Sequence, residues 1–114
     1  MRVYISGKIR GLDPAICSAN FEKKEKELLI SGYQVFNPVK EVQKLIQQMK
    51  RKPTYTEYME FAIRALLNCD GICQLNDWQE SDCAKCEYQV ATSCGKIFVK
   101  TKILRRGIHG WIFV

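Results

Sequence analysis

Two segments of this chain carry the residue types of a small-ligand pocket. Tyr4-Ile5-Ser6-Gly7-Lys8-Ile9-Arg10-Gly11 lies near the N-terminus. Asp77-Trp78-Gln79-Glu80-Ser81 comes later, and Glu87 follows six residues after Ser81. The first segment offers a hydroxyl, glycine-flanked backbone N–H groups and the cations Lys8 and Arg10. The second offers a hydroxyl and a carboxylate. Backbone donors and cations suit a phosphate, and a held carboxylate suits attack at a carbon centre, so the pair fits a small phosphorylated or sugar-bearing ligand.

The elements that must position these residues alternate between β and α. Residues 2–6 are β-prone and stop at Gly7, and residues 7–19 read as a loop holding two glycines and Asp13-Pro14. Asn20 caps a helix from Phe21 to about Ser31, closed by Gly32. Residues 33–37 form a second strand, stopped by Pro38. Residues 39–53 carry Val42, Leu45, Ile46 and Met49 at helical spacing, and Pro53 ends that stretch. Thr54 or Thr56 caps a third helix with Tyr58, Met59, Ala62, Ile63, Leu66 and Leu67 on one face. Residues 71–75 are a third strand leading into the loop Asn76-Asp77-Trp78. Ser81 or Asp82 caps a helix to about Ser93, closed by Gly95, and residues 96–99 are a fourth strand. The tail, 100–114, is basic and then apolar, with Trp111 to Val114 as a candidate edge strand. This order predicts one domain over residues 1–114: a three-layer, doubly wound α/β fold of the flavodoxin-like kind. Its mainly parallel sheet would have four to five strands and right-handed crossovers. In such sheets ligands bind outside the carboxyl ends of the strands, where both chemistry-bearing segments fall.

Composition narrows the function classes. The 114 residues have a formal net charge of +6, partly concentrated in Lys50-Arg51-Lys52 and in Lys100 to Arg106. Aromatic residues do not interleave with these clusters as a single-strand-binding surface requires, so nucleic acid is disfavoured as a partner. The N-terminus lacks a secretion pattern and no apolar run reaches the ~20 residues of a membrane span, so a cytoplasmic protein without membrane contact is expected. Six cysteines stand at 17, 69, 73, 83, 86 and 94. Cys69-x3-Cys73 and Cys83-x2-Cys86 resemble two zinc half-sites, but the second pair falls within a helix and Cys73 within a strand. Free, mostly buried thiols are the favoured reading, with no metal or organic cofactor expected.

Taken in order, Tyr4-Ile5-Ser6-Gly7-x-Ile9-x-Gly11, Gly32-Tyr33-x-Val35-x-Asn37-Pro38, Tyr58-Met59, Cys69-Asp70 and Trp78-x-x-Ser81-x-x-Ala84-x-x-Glu87 resemble the nucleoside 2-deoxyribosyltransferase-like superfamily. The likeness is closest to its branch of short bacterial and phage proteins, a domain-of-unknown-function family. It extends to the 2′-deoxynucleoside 5′-phosphate N-hydrolases, and it covers residues 3 to about 99. The resemblance implies that Glu87 is a nucleophile at the anomeric carbon of a deoxynucleoside, with a covalent deoxyribosyl intermediate as in retaining glycosidases. It implies that Ser81 and the loop Ser6, Gly7, Lys8, Ile9, Arg10 and Gly11 hold the 5′ end. Tyr4 and Asp77 would orient the sugar or the carboxylate, and Trp78 would stack on a base or serve as plain packing. Glu87, near a helix N-terminus, is expected to stay ionised.

Two positions depart from the pattern. Where such enzymes carry a site-facing aspartate, eight residues before Asp70, this chain has Ala62, and Cys83 stands where glycine is usual. Asp70 itself reads as structural, at the far end of the third strand. The favoured expectation is an enzyme that cleaves an N-glycosidic bond or transfers deoxyribose, acting on a 2′-deoxynucleoside or its 5′-monophosphate. The alternative is a catalytically impaired nucleotide-binding module of the same fold. Self-association as a dimer or larger homo-oligomer is also expected, from the apolar Trp111 to Val114 end.

Overall fold

A computed structural model describes residues 1–101 and, as backbone, 104–107 and 110–113. The chain alternates as expected: β1 (Arg2–Ser6), α1 (Pro14–Ile30), β2 (Gln34–Phe36), α2 (Pro38–Met49), α3 (Tyr55–Leu67), β3 (Gly71–Gln74), α4 (Asp82–Ser93) and β4 (Ile97–Phe98). A single 3₁₀ turn, Trp78–Glu80, precedes α4. β5 (Leu104–Gly107) and β6 (Gly110–Phe113) follow. The main sheet is four-stranded and all parallel, in the order β2-β1-β3-β4. With four helices flanking it, the fold is α/β, doubly wound and flavodoxin-like. The strand order reverses between β1 and β3, which opens a crevice at their carboxyl ends.

Strand alternation builds two cores. Val3 and Ile5 of β1 and Cys73 of β3 point to one face, where they meet Cys17, Phe21 and Leu28 of α1. Tyr4 and Ile72 point to the other, where they meet Ala62 and Leu66 of α3 and Ala91 of α4. The register pairs Tyr4 with Ile72 and Ser6 with Gln74, so Tyr4 and Ser6 lie on the face that α3 and α4 cover.

Four local readings need correction. α1 begins at Pro14, not after Asn20: the Asp13 carboxylate accepts the Ala15 N–H at 2.9 Å and the Ile16 N–H at 3.3 Å. Aspartate at the cap with proline in the first turn is a helix start as well as a turn signal, and here the helix wins. α2 stops at Met49, ahead of Pro53, because Lys50 takes a left-handed φ of 59° and donates to the Ile46 carbonyl at 2.8 Å. Glycine usually marks such a stop, and its absence hid this one. β2, β3 and β4 are shorter than expected at their ends. The apolar tail is not an edge strand of the main sheet: β6 pairs antiparallel with β5 in a separate two-stranded sheet. The side chains of Trp111 to Val114 and the place of His109 lie outside the described residues.

Other expectations hold. Thr54 caps α3 with a reciprocal capping box to Glu57, and Ser81 caps α4 by accepting the Ala84 N–H. Asp70 ties the starts of β1 and β3, accepting the Arg2 N–H at 2.9 Å. Among the described residues no helix is long and apolar enough to cross a membrane.

Candidate active site

α4 buries a stripe of Ala84, Glu87 and Ala91. The two alanines let the helix backbone approach the sheet closely, and the spacing puts a carboxylate between them on the buried face. Glu87 is only 4% exposed. Its carboxylate accepts hydrogen bonds from the Tyr4 hydroxyl and from Ser6 Oγ, the latter at 2.8 Å. The pleat of β1 makes this possible, because Tyr4 and Ser6 are two residues apart and share a face. Burial pushes the Glu87 carboxyl up to about 7, and the hydrogen bonds from Tyr4 and Ser6 offset only part of that rise. The expectation that Glu87 stays ionised at neutral pH is therefore corrected: burial raises its carboxyl by more than the two hydrogen bonds lower it. Burial first, and the neighbouring Glu87 second, hold the Tyr4 phenol well above its ordinary range.

The loop after β1 is fixed to the loop after β3. Asp77 accepts the Lys8 N–H at 3.0 Å, and the Leu75 N–H donates to the Ser6 carbonyl at 2.7 Å. Gly7 has no room for a side chain, since a Cβ there would lie 2.6 Å from Leu75 Cδ1. Gly11 turns the chain at φ +82°. Asp77 thus acts as a clamp between loops. Lys8 directs its ammonium towards Glu80, at 3.7 Å.

A cavity of about 250 Å³ opens at this end of the sheet, walled by Ile9, Arg10, Val42, Ile46, Lys52, Pro53, Thr54, Tyr55, Tyr58, Ser81 and Cys83. Of the residues singled out in the sequence, Ile9, Arg10 and Ser81 line it. Ser6 is buried and committed to Glu87. Trp78 does not line the cavity. It stacks on Tyr88 with ring centroids 4.9 Å apart, and it borders a separate, more polar cavity with Gln74 and Phe98. Ala62 is fully buried in the core with Tyr4. Cys83 lines the cavity, and its thiol donates to the Tyr55 hydroxyl at 3.5 Å.

Glu87 itself does not wall the cavity, but Tyr58 does. Tyr58 packs against the core cluster that holds Tyr4, the hydroxyl donor to Glu87, and burial first, then the charge of Glu87, raise its phenol well above the ordinary range. Tyr58, Tyr55, Pro53 and Lys52 were not read as site residues. The signal was available: a crossover helix runs antiparallel to its strands, so the first turn of α3 and the loop before it fall at the ligand-binding end. As to metal, Cys69 and Cys73 are buried in the core, and no group of three or more metal-ligating side chains gathers among the described residues.

Residues 1–100 match the family described as a domain of unknown function (DUF4406). The chain belongs to that family. The match spans β1 to β4 and so includes every residue of the cavity and of the Tyr4–Ser6–Glu87 cluster, while the β5–β6 hairpin lies beyond it. No curated protein and no solved structure matches the chain.

Proposed function

We propose that this DUF4406 protein cleaves the N-glycosidic bond of a 2′-deoxynucleoside or its 5′-monophosphate through Glu87, as members of the nucleoside 2-deoxyribosyltransferase-like superfamily do. The observation that carries this reading is a buried carboxylate held by two hydroxyl donors, from Tyr4 and Ser6, beside a ligand-sized cavity at the switch point of the sheet. An acid with no counter-ion among the described residues, held in place by hydroxyls, is better explained by chemistry than by stability.

In this scheme ionised Glu87 attacks the anomeric carbon, the carbon–nitrogen bond breaks, and its electron pair leaves with the base. Water, or a second base in a transfer reaction, then attacks the same carbon and frees the carboxylate. Tyr4 and Ser6 each hold one carboxylate oxygen and so fix the angle of attack. Among the described residues no carboxylate walls the cavity, and Ala62 stands where an acid would face the base, so the leaving base takes its proton from water. Lack of such an acid typically slows a reaction by 10²–10⁴-fold, and a slow enzyme is expected.

Incubation with each deoxynucleoside and deoxynucleoside monophosphate, followed by chromatography for free base, tests the proposal. Wild type releases base and Glu87→Gln does not. Because the nucleophile must be ionised, the rate rises with pH through about 7. No release from any substrate would refute the reading.

A second reading has its own support. Ala62 in the core and Glu87 set back from the cavity wall also fit a module that binds a nucleotide without cleaving it. Its mark is ligand-dependent thermal stabilisation with no product.

A further inference from the structure

The cysteines divide by their place in the fold. Cys17 and Cys73 are buried in the core on the α1 face of the sheet, and Cys69 is buried in the core on the other face. Cys69 and Cys73 are therefore held in different cores despite their short spacing. Cys94 is exposed at the far end of α4, about 12 Å along the helix from Cys86. Cys83 and Cys86 remain as a pair in the first two turns of α4, Cys83 half-buried and Cys86 exposed. Residues three apart on an α-helix have Cα atoms about 5 Å apart. That lies inside the roughly 4.4–6.8 Å that a disulfide spans.

Both thiols face α3. Cys83 donates to the Tyr55 hydroxyl at 3.5 Å and walls the strand-end cavity. Cys86 borders an open, mainly apolar hollow together with Tyr55, Met59 and Ile63. Tyr55 thus lies beside both cysteines, and the two side chains share one side of α4. Among the described residues no third metal-ligating side chain gathers with them, which leaves the two sulfurs each other as partners. The pair also opens the helix of a parallel crossover, β3–α4–β4. Exchange-active Cys-x2-Cys dithiols occupy that place in β–α–β units.

We infer that Cys83 and Cys86 form a redox-active dithiol that exchanges with small-molecule disulfides and carries its oxidation state into the wall of the cavity. Exposed Cys86 is the entry point. Its thiolate attacks one sulfur of the small disulfide, that S–S bond breaks, and one small thiolate leaves with the electron pair. The Cys83 thiolate then attacks the Cys86 sulfur of the mixed disulfide, the Cys83–Cys86 bond forms, and the second small thiolate leaves. The two protons lost by the cysteines are taken up by the two departing thiolates. The protein dithiol is oxidised by two electrons, and the small disulfide is reduced to two thiols. Cβ atoms three residues apart in a regular helix are about 5–6 Å apart, whereas a disulfide holds them at about 3.5–4.5 Å. Closing the bond therefore tightens the start of α4 and takes the Cys83 S–H away from Tyr55. The inference is independent of the nucleoside-processing reading, since it uses neither Glu87 nor a bound nucleoside.

The test equilibrates the purified chain with glutathione and glutathione disulfide at ratios from reducing to oxidising. Free thiols are then trapped with iodoacetamide, and intact and peptide masses are read. Wild type should lose two hydrogens at Cys83 and Cys86 together, with Cys94 outside that bond. Cys83→Ser should stop at a mixed disulfide on Cys86, and Cys86→Ser should form no internal bond. Cys94→Ser should behave as wild type. With ring-labelled tyrosine, the NMR signals of Tyr55 should shift when the wild type is oxidised, whereas those of Tyr33, packed on the α1 face, should not. No reaction at Cys86 at any ratio, a mixed disulfide that persists on wild-type Cys86, or an internal bond that requires Cys94 would overturn the dithiol. A Cys83–Cys86 bond that leaves the Tyr55 signals unmoved would overturn its link to the cavity.

Discussion

At the residue scale the molecule turns on one carboxylate. Glu87 is taken out of water by Ala84 and Ala91 on its own helix and by β1 beneath it, and among the described residues it is compensated by two hydroxyls rather than by a cation. Its folded value of about 7 stands above the ordinary 4.5, so between those values the folded state holds more protons than the unfolded one. The wild type therefore loses stability as pH rises through that window. Glu87→Gln removes the ionisation and should be more stable than wild type by about 3 kcal/mol at pH 8, with the difference vanishing near pH 4.5. Urea unfolding at the two pH values measures this. A variant no more stable than wild type at pH 8 would show that the carboxylate is solvated. The carboxylate had been read in the sequence from its place in a motif. Its burial followed from the alanines on either side, and that pattern is visible in the sequence once α4 is placed against β1. Tyr58 was harder to see, because a tyrosine on an apolar helix face reads as core until the nearby cavity is known.

At the element scale, the helix starts bring the chemistry to one end. Ser81, Thr54 and Asp13 each satisfy first-turn N–H groups, and all three caps lie in the loops that gather around the carboxyl ends of the strands. Asp13 matters because α1 begins directly after the Lys8 to Gly11 loop and so anchors the loop's far side. Asp13→Ala should cost about 1 kcal/mol of stability in thermal or urea unfolding, the usual size for losing such a cap. An unchanged midpoint would mean that Pro14 alone starts the helix. α1 was the element least well read from the sequence. Asp-Pro serves both turns and helix starts, and only the packing of Cys17 and Phe21 against β1 decides between them.

At the scale of the whole molecule, one sheet carries two cores, and the site lies at the end they share. Glu27 fastens the chain after β4 onto α1, accepting from Lys24 at 2.8 Å and from Thr101 at 2.9 Å. Burial alone would raise its carboxyl, but these partners outweigh that and bring it below the usual range. Because Val3, Tyr4 and Ile5 belong to both cores through a single strand, neither face should persist without the other. Phe21→Ala on the α1 side and Leu66→Ala on the α3 side should each cost about 3–5 and 2–5 kcal/mol respectively, while unfolding stays a single transition. Two separated transitions by circular dichroism and fluorescence would show that the halves fold independently.

The sequence by itself determined the alternation of elements, hence the parallel sheet with two covered faces, and it marked the two loops that carry polar chemistry. Those features follow from apolar periodicity and from turn and cap residues, which act over a few positions along the chain. Tertiary structure decided the partners. Ser6 faces Glu87 rather than the cavity because strand pleat and register set its direction, and Trp78 turns to Tyr88 because the 3₁₀ turn aims it there. Lys52 comes to line the cavity because Glu57 braces the loop on both sides. The state of Glu87 was likewise decided by desolvation, a property of everything packed around it that no local spacing records.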